Sequence, residues 1–96
     1  MRPSTALAIH RDSILKAAGR YRVRKILVFG SAARGDDTEG SDLDLLVDMP
    51  ADTTLLDMVG LQDDLCTALG IHVDVVTAND LPDRVRTRVL REARPL

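Results

Sequence analysis

The chain has 96 residues, 45% of them apolar and 29% charged, with a formal net charge of −2. This is an ordinary globular composition with core enough for one domain, and too little positive charge overall for a general polyanion binder. Phe29 and Tyr21 are the only aromatic rings, so the core must be Leu, Val, Ile and Ala, and stacking platforms for single-stranded nucleic acid are not expected.

Residues 5–19 read as a helix, with Leu7, Ile14, Leu15 and Ala18 near helical spacing, Ser4 as candidate N-cap and Gly19 as stop. Residues 24–29, RKILVF, read as a strand. Residues 43–48, LDLLVD, read as a second strand, and Gly40 and Ser41 punctuate the loop between them. A helix is expected over 54–69, with Leu55, Leu56, Val59, Leu65, Cys66 and Leu69 on its inner side and Gly70 as stop. Residues 71–77 read as a third strand. The last helix spans 81–93, with Val85, Val89, Leu90 and Ala93 inward and arginines outward. Asn79 or Asp80 is its candidate cap, and Pro82 suits its first turn. The order is α-β-β-α-β-α. It implies one α+β domain over 1–96: a sheet of at least three strands, covered by helices. No repeat or linker interrupts it.

The lone Cys66 excludes an internal disulfide and a cysteine-based zinc site. No run approaches the roughly 18 apolar residues of a membrane span. The short apolar stretch 6–9, broken by His10 and Arg11, is no signal peptide. A cytoplasmic protein with no membrane partner is therefore expected. Charge is segregated. Arg20, Arg22, Arg24 and Lys25 precede the second half of the first strand, and Arg84, Arg86, Arg88, Arg91 and Arg94 crowd the C-terminus. Acids gather between Asp36 and Asp64. The basic runs read either as solvated surface or as a docking or phosphate-attracting field.

Asp42 and Asp44 stand at i and i+2, which in a strand puts both side chains on one face, about 7 Å apart along the backbone. Asp74, between Val73 and Val75, joins them if the third strand lies beside the second. Asp48 shares their parity but sits at the strand end before Pro50 and reads as exposed. Carboxylates about 5 Å apart repel by about 3 kcal/mol per pair at an effective dielectric near 20. Three such pairs approach the roughly 5–15 kcal/mol that holds a domain together. The cluster needs protonation or a cation. All-oxygen ligands suit Mg²⁺ or Mn²⁺, and two metals about 3.5–4 Å apart can bridge an attacking and a leaving oxygen.

The stretch FGSAARGD follows the first strand and opens a short helix. Gly30 permits a tight turn, Ser31 offers a hydroxyl and an amide to phosphate, and Arg34 is the one cation of the loop. Gly30 and Gly35 mimic P-loop spacing, but Asp36 and Asp37 stand where lysine and Ser/Thr are required, and an acid there repels phosphate. A calcium loop is excluded because the Asp-x-Asp-x-Asp-Gly order is missing. Gly-Ser alone, or Asp-x-Asp alone, carries little. Gly-Ser after a strand, ten residues, Asp-x-Asp in a second strand and Asp in a third are hard to obtain together by chance.

These residues resemble the signature of the nucleotidyltransferase superfamily that includes DNA polymerase beta. FGSAARG followed by SDLDLLV resembles the minimal nucleotidyltransferases, short proteins often paired with a HEPN-domain ribonuclease toxin. The resemblance implies the polymerase beta-like fold on a mixed sheet. It implies that Gly30 and Ser31 hold a triphosphate, that Asp42 and Asp44 coordinate two Mg²⁺ ions, and that Asp74 completes the metal site and helps activate the acceptor. Arg34 fits a common position, with phosphate contact and loop folding as its two readings. AMP from ATP would pass to a hydroxyl, with pyrophosphate released. In the toxin–antitoxin pairs the acceptor is a tyrosine of the toxin, and its modification blocks the nuclease.

Two functions compete. One is an adenylyl-transferring antitoxin. The other is a non-catalytic antitoxin that neutralises its toxin by binding alone, through the arginine-rich C-terminal helix or the basic N-terminal segment. Transfer to a small molecule or a nucleic-acid end is a third reading, disfavoured because such enzymes usually carry a further domain for the acceptor. The small size predicts a site open on one side, completed by the toxin or a second copy of the chain.

Overall fold

A computed structural model describes residues 1–96. The elements are α1 (Pro3–Ile9), α2 (Arg11–Arg20), β1 (Lys25–Phe29), α3 (Ser31–Arg34), β2 (Leu43–Asp48), α4 (Leu55–Leu69), β3 (Val73–Val76), a 3₁₀ turn (Ala78–Asp80), α5 (Asp83–Glu92) and β4 (Arg94–Pro95). The sheet runs β3-β2-β1-β4. β2 is antiparallel to β1 and parallel to β3, and β4 is antiparallel to β1. The parallel pair needs a crossover, which α4 supplies. The mixed α+β architecture is the one expected, with a two-residue edge strand added.

Alternation along β2 divides the two faces of the sheet. Leu43 and Leu45 enter a core shared with Ile14 and Ala17 of α2, Leu61, Leu65 and Leu69 of α4, and Val28 and Val73 of the neighbouring strands. Asp44, Leu46 and Asp48 take the opposite parity. Tyr21 ties α2 to α4 by donating its hydroxyl to Asp64 at 3.0 Å. Gly60 gives the ring room, since a Cβ there would lie 2.6 Å from the tyrosine oxygen.

Several local expectations are corrected. The first helix is two helices broken at His10, and Gly19 lies inside the second rather than ending it. Ser4 is no N-cap, because α1 starts one residue earlier at Pro3. The Ser4 amide instead donates to the carboxylate of Asp37 at 2.8 Å, and Arg2 adds a 3.2 Å ion pair. Asp37 is the buried charged residue of the chain, 4% exposed. The Ser4 amide bond holds its carboxyl below the usual range despite the opposing effect of burial.

The inner face of α4 also differs. Leu61, Leu65 and Leu69 are buried, whereas Leu55 and Leu56 are 80% and 82% exposed and Val59 is 50% exposed. At 100° per residue, Leu56 falls opposite the Leu61–Leu65–Leu69 stripe, so hydrophobicity alone misassigned it. A reciprocal capping box between Thr54 and Asp57 starts this helix, and Gly70, left-handed at φ 70°, ends it. In α5, Val89 is buried but Leu90 is 50% exposed. Asn79 and Asp80 form the 3₁₀ turn, and Pro82 occupies the position before α5.

Candidate active site

The site forms where β1 ends against the start of β2. Gly30 leaves β1 with φ 74° and ψ −154°, which side chains rarely adopt. A Cβ here would overlap Asp44 Oδ2 and lie 3.3 Å from its Cγ. Glycine is therefore needed twice, for its dihedral and for the approach of the carboxylate. Ser31 begins α3, which Gly35 closes in the left-handed conformation.

Asp42 stands just before β2 and is exposed, and Asp44 is the second residue of β2. Asp44 lies opposite Phe29 in the antiparallel ladder and opposite Asp74 in the parallel one. The pairing of β3 with β2 thus meets the condition that brings Asp74 to the other two acids. Burial pushes the Asp44 carboxyl above its ordinary range. Asp74 and then Asp42 add to the shift, and Arg34 opposes it.

The tightest group of ligand atoms is Asp42, His72 and Asp74, all within 4.8 Å of one another. His72 was missed in the sequence, although it stands two residues before Asp74 and its parity was readable. Its Nε2 donates to Asp74 Oδ1 at 2.8 Å, and this bond, with the charge of Asp74, raises the imidazole above its usual range. The donor set fits a divalent cation: the group is compact, and Asp44 beside it is held in a field that favours added positive charge.

Arg34 is the last residue of α3. Its guanidinium bonds Glu92 at 3.2 and 3.3 Å and Asp36 at 3.3 Å. Glu92, the last residue of α5, also accepts the Gly30 amide at 3.0 Å. Glu92 carried no readable signal, since its partners lie 58 and 62 residues earlier. A cleft of about 740 Å³ opens on the sheet between β1, β2 and α5, with Leu27, Leu46, Met58, Asn79 and Leu90 in its lining. Its lining gathers at the Lys25 and Asp48 end of the β1–β2 pair, and none of Gly30, Ser31, Arg34, Asp42, Asp44 or Asp74 belongs to it, so it is separate from the acidic group.

The chain belongs to the nucleotidyltransferase domain family, which matches residues 11–96, and falls among its minimal members. It is 42% identical over 73 residues to the protein adenylyltransferase MntA of Thermococcus cleftensis, covering 76% of this chain and 74% of that protein. A candidate protein adenylyltransferase of Methanocaldococcus jannaschii is 39% identical over 74 residues, covering 77% and 80%. Among solved structures, a candidate minimal nucleotidyltransferase superposes with a TM-score of 0.86 at 44% identity, over 100% of this chain and 97% of the other. A toxin–antitoxin crystal structure with AMP-PNP shares the fold, with a TM-score of 0.76 at 22% identity, over 88% of this chain and 69% of the other. The chain is thus a nucleotidyltransferase. No helix is long and apolar enough to cross a membrane.

Proposed function

We propose that residues 1–96 act as one nucleotidyltransferase domain that moves AMP from ATP to a tyrosine hydroxyl of a HEPN-type toxin, and so act as its antitoxin. The observation that carries the chemistry is the convergence of Asp42, Asp44 and Asp74 on one face of paired strands beside the Gly30 turn. Support for a protein acceptor comes from the adenylyltransferase names of the relatives, and support for a toxin partner from the MntA–HepT complexes that share the fold.

In this reading the Gly30 and Ser31 amides and Arg34 bind the outer phosphates. Asp42, Asp44 and Asp74 hold Mg²⁺, with Mn²⁺ as the alternative, and His72 steadies Asp74. The bound metal supplies charge neutralisation on the phosphates and a lower pKa for the acceptor hydroxyl. Asp74 takes the hydroxyl proton as the oxygen attacks the α-phosphorus. The new O–P bond forms as the bond to the α–β bridging oxygen breaks, and pyrophosphate leaves on the Arg34 side. The test is digestion and peptide mapping of a HEPN-type partner after incubation with MgATP. AMP on a tyrosine supports the proposal, and an unmodified partner that is still neutralised favours the binding-only reading. The exposed Arg84, Arg88 and Arg91 of α5, at helical spacing, would then be the surface to reverse in charge.

A further inference from the structure

The carboxylate of Glu92 lies in the one place the proposed reaction needs for phosphate. It accepts the Gly30 amide at 3.0 Å and two bonds from the Arg34 guanidinium at 3.2 and 3.3 Å. A carboxylate and a phosphate present the same acceptor pattern to a guanidinium. The Gly30 amide has a single proton, so it cannot serve Glu92 and a phosphate oxygen together. Arg34 is less exclusive, because its guanidinium has five donors and two anions already share them. The Glu92 side chain is 23% exposed, against 50% for Arg34, so it fills the cradle rather than fringing it.

We propose that Glu92 occupies the position of the outer phosphates as an internal stand-in anion, and must swing out before a nucleoside triphosphate binds, so that this residue sets the affinity for nucleotide. The proposal rests on the reading that Gly30 and Arg34 hold the triphosphate. Release needs no unfolding. Glu92 is the last residue of α5, and Ala93 after it is already extended at φ −64° and ψ 139°. Arg94 and Pro95 keep their pairing with β1 while the side chain rotates to solvent. A site open a tenth of the time binds its ligand about tenfold more weakly than an open one.

The test is calorimetric titration of the full chain, wild type, Glu92→Ala and Glu92→Gln, with a non-hydrolysable ATP analogue plus Mg²⁺ and, separately, with inorganic tripolyphosphate. The Gly30 amide resonance is followed by NMR in the same titrations. Glu92→Ala should bind both ligands about tenfold more tightly, Glu92→Gln should lie between it and wild type, and the Gly30 resonance should move. If the resonance moves but removing the carboxylate leaves affinity unchanged or weaker, Glu92 is a loop-positioning residue and the proposal fails while the cradle stands. If ligand binds without moving Gly30, or binds no variant, the cradle reading fails and takes the proposal with it. Should Glu92→Ala not fold, the isosteric Gln variant decides: tighter binding supports the proposal, and equal or weaker binding overturns it.

Discussion

Asp44→Asn should make the metal-free protein more stable while destroying its activity. The substitution keeps the side-chain outline under Gly30 and removes one charge from the acidic group. Asp44 faces Asp74 directly across the parallel pair. Strands about 4.8 Å apart give about 3 kcal/mol of repulsion at a dielectric near 20. Exposure of Asp42 and partial exposure of Asp74 screen this, leaving about 1–2 kcal/mol as the expected gain. For a domain of this size that is a rise in Tm of about 5–10 °C at neutral pH. The sign follows from the upward shift of Asp44, caused first by burial and then by Asp74 and Asp42. A carboxyl raised in the folded state contributes stability that is fully present below its unfolded pKa and is lost as pH rises through the folded value. Wild type should therefore lose stability from the ordinary carboxylate range upward, and Asp44→Asn should not. The assay is differential scanning calorimetry from pH 4 to 8 with chelator, repeated with Mg²⁺. Wild type should regain stability with Mg²⁺ far more than the variant does, and nucleotidyl transfer by the variant should drop about a hundredfold or more. A variant less stable than wild type at pH 7 without metal would refute the claim that Asp44 is held charged against its surroundings.

Gly30→Ala should lower stability by about 1–3 kcal/mol through the positive φ alone, and the overlap with Asp44 should abolish transfer; thermal melting and activity measured together check both. Asp37→Ala removes the acceptor of the Ser4 amide and should cost about 1 kcal/mol as a lost cap, read by urea denaturation. Because the Asp37 carboxyl is lowered, its contribution is present above the unfolded value and lost as pH falls through the folded one, so the wild-type advantage over Asp37→Ala should vanish in strong acid. His72→Ala removes the bond that steadies Asp74 and should weaken Mg²⁺ and Mn²⁺ binding alike; metal titration by calorimetry decides it, and unchanged binding of both metals would remove His72 from the site.

The sequence carried the local and periodic parts of this molecule. The boundaries of β2, the Gly70 stop of α4 and the shared face of Asp42 and Asp44 follow from the strand repeat and turn chemistry, which act over a few residues. The two-residue β4 is too short to leave a periodic trace. Leu55 and Leu56 misled because hydrophobicity says that a residue prefers burial, not whether a neighbour exists to bury it. The capping of α1 by Asp37 and the seating of Glu92 on Gly30 span 33 and 62 residues, so only the fold brings those partners together. His72 was within reach of the same parity argument that paired the aspartates, since it stands two residues before Asp74.

The central claim is covalent transfer of a nucleotide to a partner protein by the Asp42, Asp44 and Asp74 site. Intact-mass spectrometry of a HEPN-type toxin after incubation with this protein and MgATP tests it most directly. The account predicts a toxin heavier by AMP with wild type and unchanged with Asp42→Asn. An unmodified toxin with wild type across Mg²⁺ and Mn²⁺, or equal modification by Asp42→Asn, would contradict it.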